Sequence, residues 1–495
     1  MTSNDDFDVN NPDSAIRARA LIDRGIAQAE AGERIAAIAS LKEAEKVAAD
    51  AGLTSIAIGA HINRGWALWY AGEMAGAITL YSEGAQMARE AEDIEHLRVA
   101  LSNLGVAYST MGQHAEALAV YEEYLPYVVD DAAESADAHL NTGTALVGMG
   151  RPDEATAHFE EAERLATEAG LREPLVIVHL NRGVLLEREG DTDGAFDLYW
   201  KAFDIAEEAK DADLVGRVTM TLGRAYLRVG DDTHACDCFG EAANAFRYLE
   251  DSDRLADALH RHGLALRRVG LGDAAVEAWQ EEEPILRERA DELALGECIF
   301  LQAQVLGALT PSPATDLTFS EAASHYNSAK ATDRLAEVYH AHAQWLRDRG
   351  MDDEAASRLN KALEALEAVP NPTVECRARG LNALMLADSR DFEAASTELD
   401  AAEAVAESNG DQPGVTGVRA RRGYVLAREG KPVADVIAQL EAALEHAQTL
   451  PRPEIGEQAV DLVIAEIDQR CGGSYGETLR GWRTPPQADS AASAE

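Results

Sequence analysis

Lysine, cysteine and aromatic residues are scarce in this 495-residue chain, and each shortage narrows its reading. Seven lysines stand beside 37 arginines, and these 44 cations face 88 Asp and Glu, a formal net charge of −44. Such a charge opposes general attraction to nucleic acid or an anionic membrane and favours solubility. The five cysteines, Cys236, Cys238, Cys298, Cys376 and Cys471, are scattered and odd in number, which argues against a disulfide framework. Cys236 and Cys238 are two apart, so on a helix they point to different faces rather than forming a metal knuckle. No run of eighteen apolar residues occurs, and no membrane span is expected. The opening MTSNDDFDVNNPD has no apolar signal core, and a reducing cytoplasm is the expected compartment. HExxH, phosphate-loop and nucleophile-elbow motifs are missing. His260 and His262, like His340 and His342, are two apart and would not converge as helical metal ligands. Neither catalysis nor a metal or cofactor is expected.

What is present is a repeat. Hydrophobic residues make up 46% of the chain and aromatics only 6%, so alanine and leucine carry the packing. The stretch LSNLGVAYSTMGQHAEALAVYEEY, Leu101 to Tyr124, reads as two amphipathic helices around a glycine turn. Small Gly105 and Ala117 allow close approach, and Tyr108 and Tyr121 fill the space beside them. The same glycine recurs as Gly25, Gly65, Gly143, Gly183, Gly223, Gly263 and Gly423, forty residues apart with one two-residue deletion. Ala303, Ala343 and Ala383 take the remaining slots. Turn glycines such as Gly72, Gly112, Gly190 and Gly230 stand where a helix must stop and a left-handed backbone is useful.

This pattern resembles the tetratricopeptide repeat family in a forty-residue form, over nearly the whole chain. The resemblance implies an all-α, right-handed superhelical solenoid of about eleven helix-turn-helix repeats. A capping helix over about 454–469 is expected to close the stack. In order, the chain reads as a disordered N-terminus (1–12), an N-terminal array (13–295), an irregular repeat (296–330), a C-terminal array with the cap (331–470) and a flexible tail (471–495). In the irregular repeat TPSPATDLT replaces the tight turn; it reads either as a hinge or as a worn repeat without a mechanical role.

The resemblance also implies that the first helix of each repeat lines a concave surface and that the partner is a protein or peptide. Asn63, Asn103, Asn141 and Asn181 stand two residues before the repeat glycine, where family members often clamp a peptide backbone. A carboxamide offers a donor and an acceptor together; the competing reading is a bond within the framework. Arg188, Arg228 and Arg268 recur five residues after the glycine, and Arg224 shares a face with Arg228. They could take an acidic group on the ligand, or simply complement helix ends. Trp66, beside Trp69 and Tyr70, reads as an anchor for an apolar side chain or as packing on the first repeat. His61, His139 and His179 share a packing slot. The expected function is a cytoplasmic, bacterial-type interaction scaffold holding an extended, acidic peptide. The alternative is a regulatory receptor in which a small peptide or metabolite changes solenoid curvature. Nucleic acid is not an expected partner, and the oligomeric state is not legible.

Overall fold

The computed structural model describes residues 12–309 and 312–472, together with Tyr475, Thr478, Leu479, Trp482 and Arg483. Eleven helical hairpins follow one another and a single helix, Pro453–Cys471, ends the series; no strand occurs among the described residues. The chain divides into two compact units, Met1–Asp251 and Ser252–Glu495. Hairpins one to six make the first unit; hairpins seven to eleven and the last helix make the second.

Each hairpin closes on the same pair. The repeat glycine of the first helix lies under a large residue of the second, sixteen positions on in the first seven hairpins. A Cβ on Gly105 would sit 2.3 Å from the Tyr121 ring, and one on Gly183 2.4 Å from Tyr199. Gly143 faces Phe159, Gly223 faces Phe239 and Gly263 faces Trp279 in the same way. Those rings are fully buried, so the glycine is the space that lets a ring into the hairpin. Where alanine takes the slot at Ala343 and Ala383, the facing residues shrink to Leu359 and Leu399.

The turns obey the backbone rules. Gly72, Gly112, Gly190 and Gly230 all have left-handed φ between 70° and 89°. Asp93, Asp131, Asp191, Asp211 and Asp231 cap the following helices by accepting backbone N–H bonds. The two-residue deletion is absorbed in the third hairpin. Its second helix is cut to His114–Tyr124, and Pro126 finishes it in a 3-10 turn over Leu125–Tyr127.

Within each unit the first helices of consecutive hairpins touch, as with Thr54–Tyr70 on Ile94–Thr110 and Thr332–Arg347 on Pro372–Asp388. Second helices do not pack on one another comparably among the described residues. A row of hairpins tight on one side and splayed on the other bends toward the tight side. The first helices therefore line the inner face of each unit.

The eighth hairpin, Glu292–Leu309 and Pro313–Ser328, keeps the common arrangement, with Pro313 at the start of its second helix. It lies wholly inside the second unit, so the division between units at 251/252 does not coincide with the hinge read over 296–330. By length and composition alone Glu292–Leu309 could cross a membrane. Leu295, Cys298, Ile299, Phe300 and Leu301 are buried in the unit, as a core helix requires. The stretch 1–12 lies outside the described residues except for Pro12, which opens the first helix, Pro12–Glu30. Most of 471–495 is also outside them; Leu479 is buried there, and Tyr475 and Trp482 pack on the last core cluster.

Candidate functional site

On the inner face of the first unit the four asparagines do different things. Asn63 donates to its own helix at Gly59 O, 2.9 Å away. Asn181 donates to Thr144 Oγ1 of the preceding hairpin at 3.2 Å. These two are framework bonds, the competing reading of the ladder. Asn103 and Asn141, half-buried on neighbouring first helices, hold no side-chain hydrogen bond among the described residues. The structure thus splits a ladder of four into two engaged and two available amides.

The arginines divide similarly. Arg228 pairs with Glu187 of the preceding hairpin at 2.5 Å, and Glu187 also accepts from the Tyr199 hydroxyl at 2.9 Å. Arg224 donates to Met220 O of its own helix. Arg217 reaches Glu173 and Asp213 at 3.4 and 3.6 Å. Arg188 is exposed, with no partner among the described residues. Arg268 is exposed too, but it belongs to the second unit. Trp66 packs on the first-hairpin cluster of Ala29, Ala37 and Leu41 and meets the Tyr70 ring at 5.1 Å. Trp66 is half-buried there, and Tyr70, 58% exposed, is the more open ring of the two.

The histidine slots are structural. His61 bridges Glu45 and Glu83 at 3.0 and 3.2 Å, and His139 meets His158 Nδ1 to Nδ1 at 3.0 Å. Burial holds the pKa of His139 and His158 below the usual imidazole value. Among the described residues no three His, Cys, Asp or Glu converge as metal ligands. His260, Glu282 and Cys298 gather in the second unit in a way that superficially suggests a nucleophile with its base. Cys298 is fully buried and donates to Trp279 O at 3.2 Å. Burial pushes its thiol pKa far up, so it is an inert core thiol.

The densest polar cluster was not read from the sequence at all. It sits on the inner face of the second unit, under the helix Pro453–Cys471. Arg347, 0% exposed, pairs with Asp388 at 2.9 Å and with Glu466, and its guanidinium meets the Tyr424 hydroxyl at 3.3 Å. Tyr424 donates to Asp388, and Arg428 and Arg470 reach the same carboxylate at 3.0 and 3.3 Å. Burial works against the Arg347 charge, but Glu466 and Asp388 outweigh it and raise its pKa. Burial, followed by Asp388, drives the Tyr424 pKa far up, so its proton stays in place as a donor. Arg428 stands five residues after Gly423, the slot of Arg188, Arg228 and Arg268; Asp348 and Asp388 occupy that slot in the ninth and tenth hairpins. That register was the signal available in the sequence.

Comparison with known proteins agrees with the hairpin architecture. Residues 56–127 match the tetratricopeptide repeat family. No curated protein matches the sequence. Among solved structures the chain is similar to the apo form of RapI (14% identity, TM-score 0.43, covering 71% of this chain and 98% of that one). It is also similar to a signal-transduction ATPase with a tetratricopeptide repeat sensor from Pyrococcus horikoshii (13%, 0.48, 68% and 52%). Yeast Tom70 aligns at 15% identity and TM-score 0.35, over 95% of this chain and 100% of Tom70. The family match covers the second and third hairpins, and the same glycine-and-ring closure runs on from there to the seventh.

Proposed function

We propose that the first unit is a protein-interaction scaffold whose inner face holds an extended peptide. The observation that carries this is the pair of unengaged amides, Asn103 and Asn141, on adjacent first helices. Each can donate to and accept from a peptide unit of a ligand. Arg188, exposed and unpaired among the described residues, supplies a cation for an acidic ligand side chain. Asn63 and Asn181 hold the framework instead, and Arg228 helps fix the spacing of the fifth and sixth hairpins. Ordering a flexible peptide offsets several kcal/mol of contact energy, so a dissociation constant of about 1 μM, roughly −8 kcal/mol, is expected.

The test is affinity selection of random peptides displayed on phage, with wild type beside Asn103→Ala/Asn141→Ala and Arg188→Glu. Enrichment of acidic peptides, lost with the double variant and weakened by Arg188→Glu most at low salt, supports the reading. Peptides retained equally by all three proteins would move the site elsewhere. No enrichment at all would remove the peptide reading.

A further inference from the structure

The hub under the last helix is not balanced. Arg347, Arg421, Arg428 and Arg470 are brought to one region by the first helices of the ninth and eleventh hairpins and the last helix. Asp388 and Glu466 pair with three of them, and Asp348 stands on the cleft wall with Arg421. Arg347, Arg428 and Arg470 share the first two. Arg421 has no hydrogen bond or ion pair among the described residues. Arg421 is half-buried, and a guanidinium that stays charged without a protein partner is left to water or to an anion.

Arg421 lines a cleft of about 570 Å³, a size typical of small-molecule sites. The walls come from three first helices, through Gln344, Leu384 and Arg421, and from the last helix, through Leu462, Val463 and Gln469. Its head group is seated by a missing side chain: a Cβ on Gly380 would fall 2.7 Å from Arg421 Nη1. Gly380 therefore leaves room for the guanidinium there. Leu462, at 72% exposed, is an apolar residue turned outward on the cleft wall. Asp348 and Glu466 also line the cleft, and a second or third negative charge on a ligand would meet them. Burial and the neighbouring Arg347 and Arg377 disfavour the Arg421 charge, which a bound anion would relieve.

We infer that this cleft is a binding site for a small organic monocarboxylate, its carboxylate taken by Arg421 and its apolar part lying against Leu384, Leu462 and Val463. Gln344 and Gln469 add amide donors and acceptors on the walls. The site lies in the second unit and stands independently of the peptide reading of the first.

The experiment uses the full chain in isothermal titration calorimetry. The probes are 4-methylpentanoate, its neutral amide, glutarate and inorganic phosphate. Saturable heat with 4-methylpentanoate in the submillimolar range is expected, with at least tenfold weaker binding of the other three. Arg421→Gln should abolish binding, and Gly380→Ala should weaken it by displacing the guanidinium. If Arg421→Gln does not fold by circular dichroism, Leu462→Trp, at an exposed position, should block the cleft with the fold retained. Three results overturn the inference: no heat with 4-methylpentanoate up to 10-fold above the expected range, equal binding of its amide or of phosphate, or binding unchanged in Arg421→Gln and Leu462→Trp.

Discussion

The two units build their inner faces from the same helices and use charge in opposite ways. In the first unit Arg228 reaches one hairpin back to Glu187, its side chain 56% exposed. Each such pair ties only neighbours and leaves amides such as Asn103 and Asn141 without a side-chain bond among the described residues. In the second unit Arg347 is sealed, and its partners come from the tenth hairpin, the eleventh and the last helix. Over the ninth to eleventh hairpins the inner face there is covered by the helix Pro453–Cys471, with a cleft beside Arg421. Position in the repeat does not decide the role of a charge. What lies over it does.

The sharpest way to break this contrast is to truncate the sealed arginine. Arg347→Ala leaves Asp388 and Glu466 without their buried partner and should cost about 3–5 kcal/mol. Hydrogen exchange should rise first over 453–471, and protection unchanged there would show that the hub does not hold the last helix. Next in size is the glycine closure. Gly105→Ala drives a methyl into the Tyr121 ring and should lose about 1–3 kcal/mol in a thermal melt. Gly423→Ala, whose Cβ would meet Leu440 at 3.0 Å, should cost less, with helix propensity offsetting part of it.

Acid should separate the units further. His340, half-buried in the second, has its pKa pulled down to about 3 by burial and by Arg377 and Arg421. Above its ordinary value near 6.5 it is neutral whether folded or unfolded, so its contribution is complete there. As pH falls below that value only the unfolded chain takes the proton, and stability is lost. Between pH 7.5 and 5 the loss should approach about 2 kcal/mol. Denaturant titrations of wild type and His340→Gln at both pH values check it, since the variant should lose correspondingly less. The smallest effect belongs to the exposed pair: Arg228→Ala should change stability by less than about 1 kcal/mol. A larger loss in equilibrium unfolding would mean that the first unit also depends on a charge hub.

The repeat was legible because its closure is local. Gly105 and Tyr121, or Gly183 and Tyr199, are a glycine and a ring within one hairpin, so periodicity alone brings them out. Turn glycines declare themselves for the same reason, since a left-handed backbone leaves a residue type behind. The amide ladder was legible as a register but not as a function. Whether Asn181 turns to Thr144 or to a ligand depends on a neighbouring hairpin that spacing does not describe. The hub was beyond reach in another way: Arg347 and Glu466 lie 119 positions apart. Asp388 replaces an arginine in its slot, and this substitution meant nothing until the last helix lay over it.

The glycine-and-ring closure has a consequence for how such a chain can change length. Every lock in the first unit is contained within a single hairpin, so cutting or copying forty residues in phase leaves each surviving lock whole. The ninth, tenth and eleventh hairpins do not have that freedom. Their shared guanidinium is shut in by the helix Pro453–Cys471, and inserting one hairpin among them would carry Glu466 out of its reach. The first unit is thus built from exchangeable modules, whereas the end of the second has a fixed count.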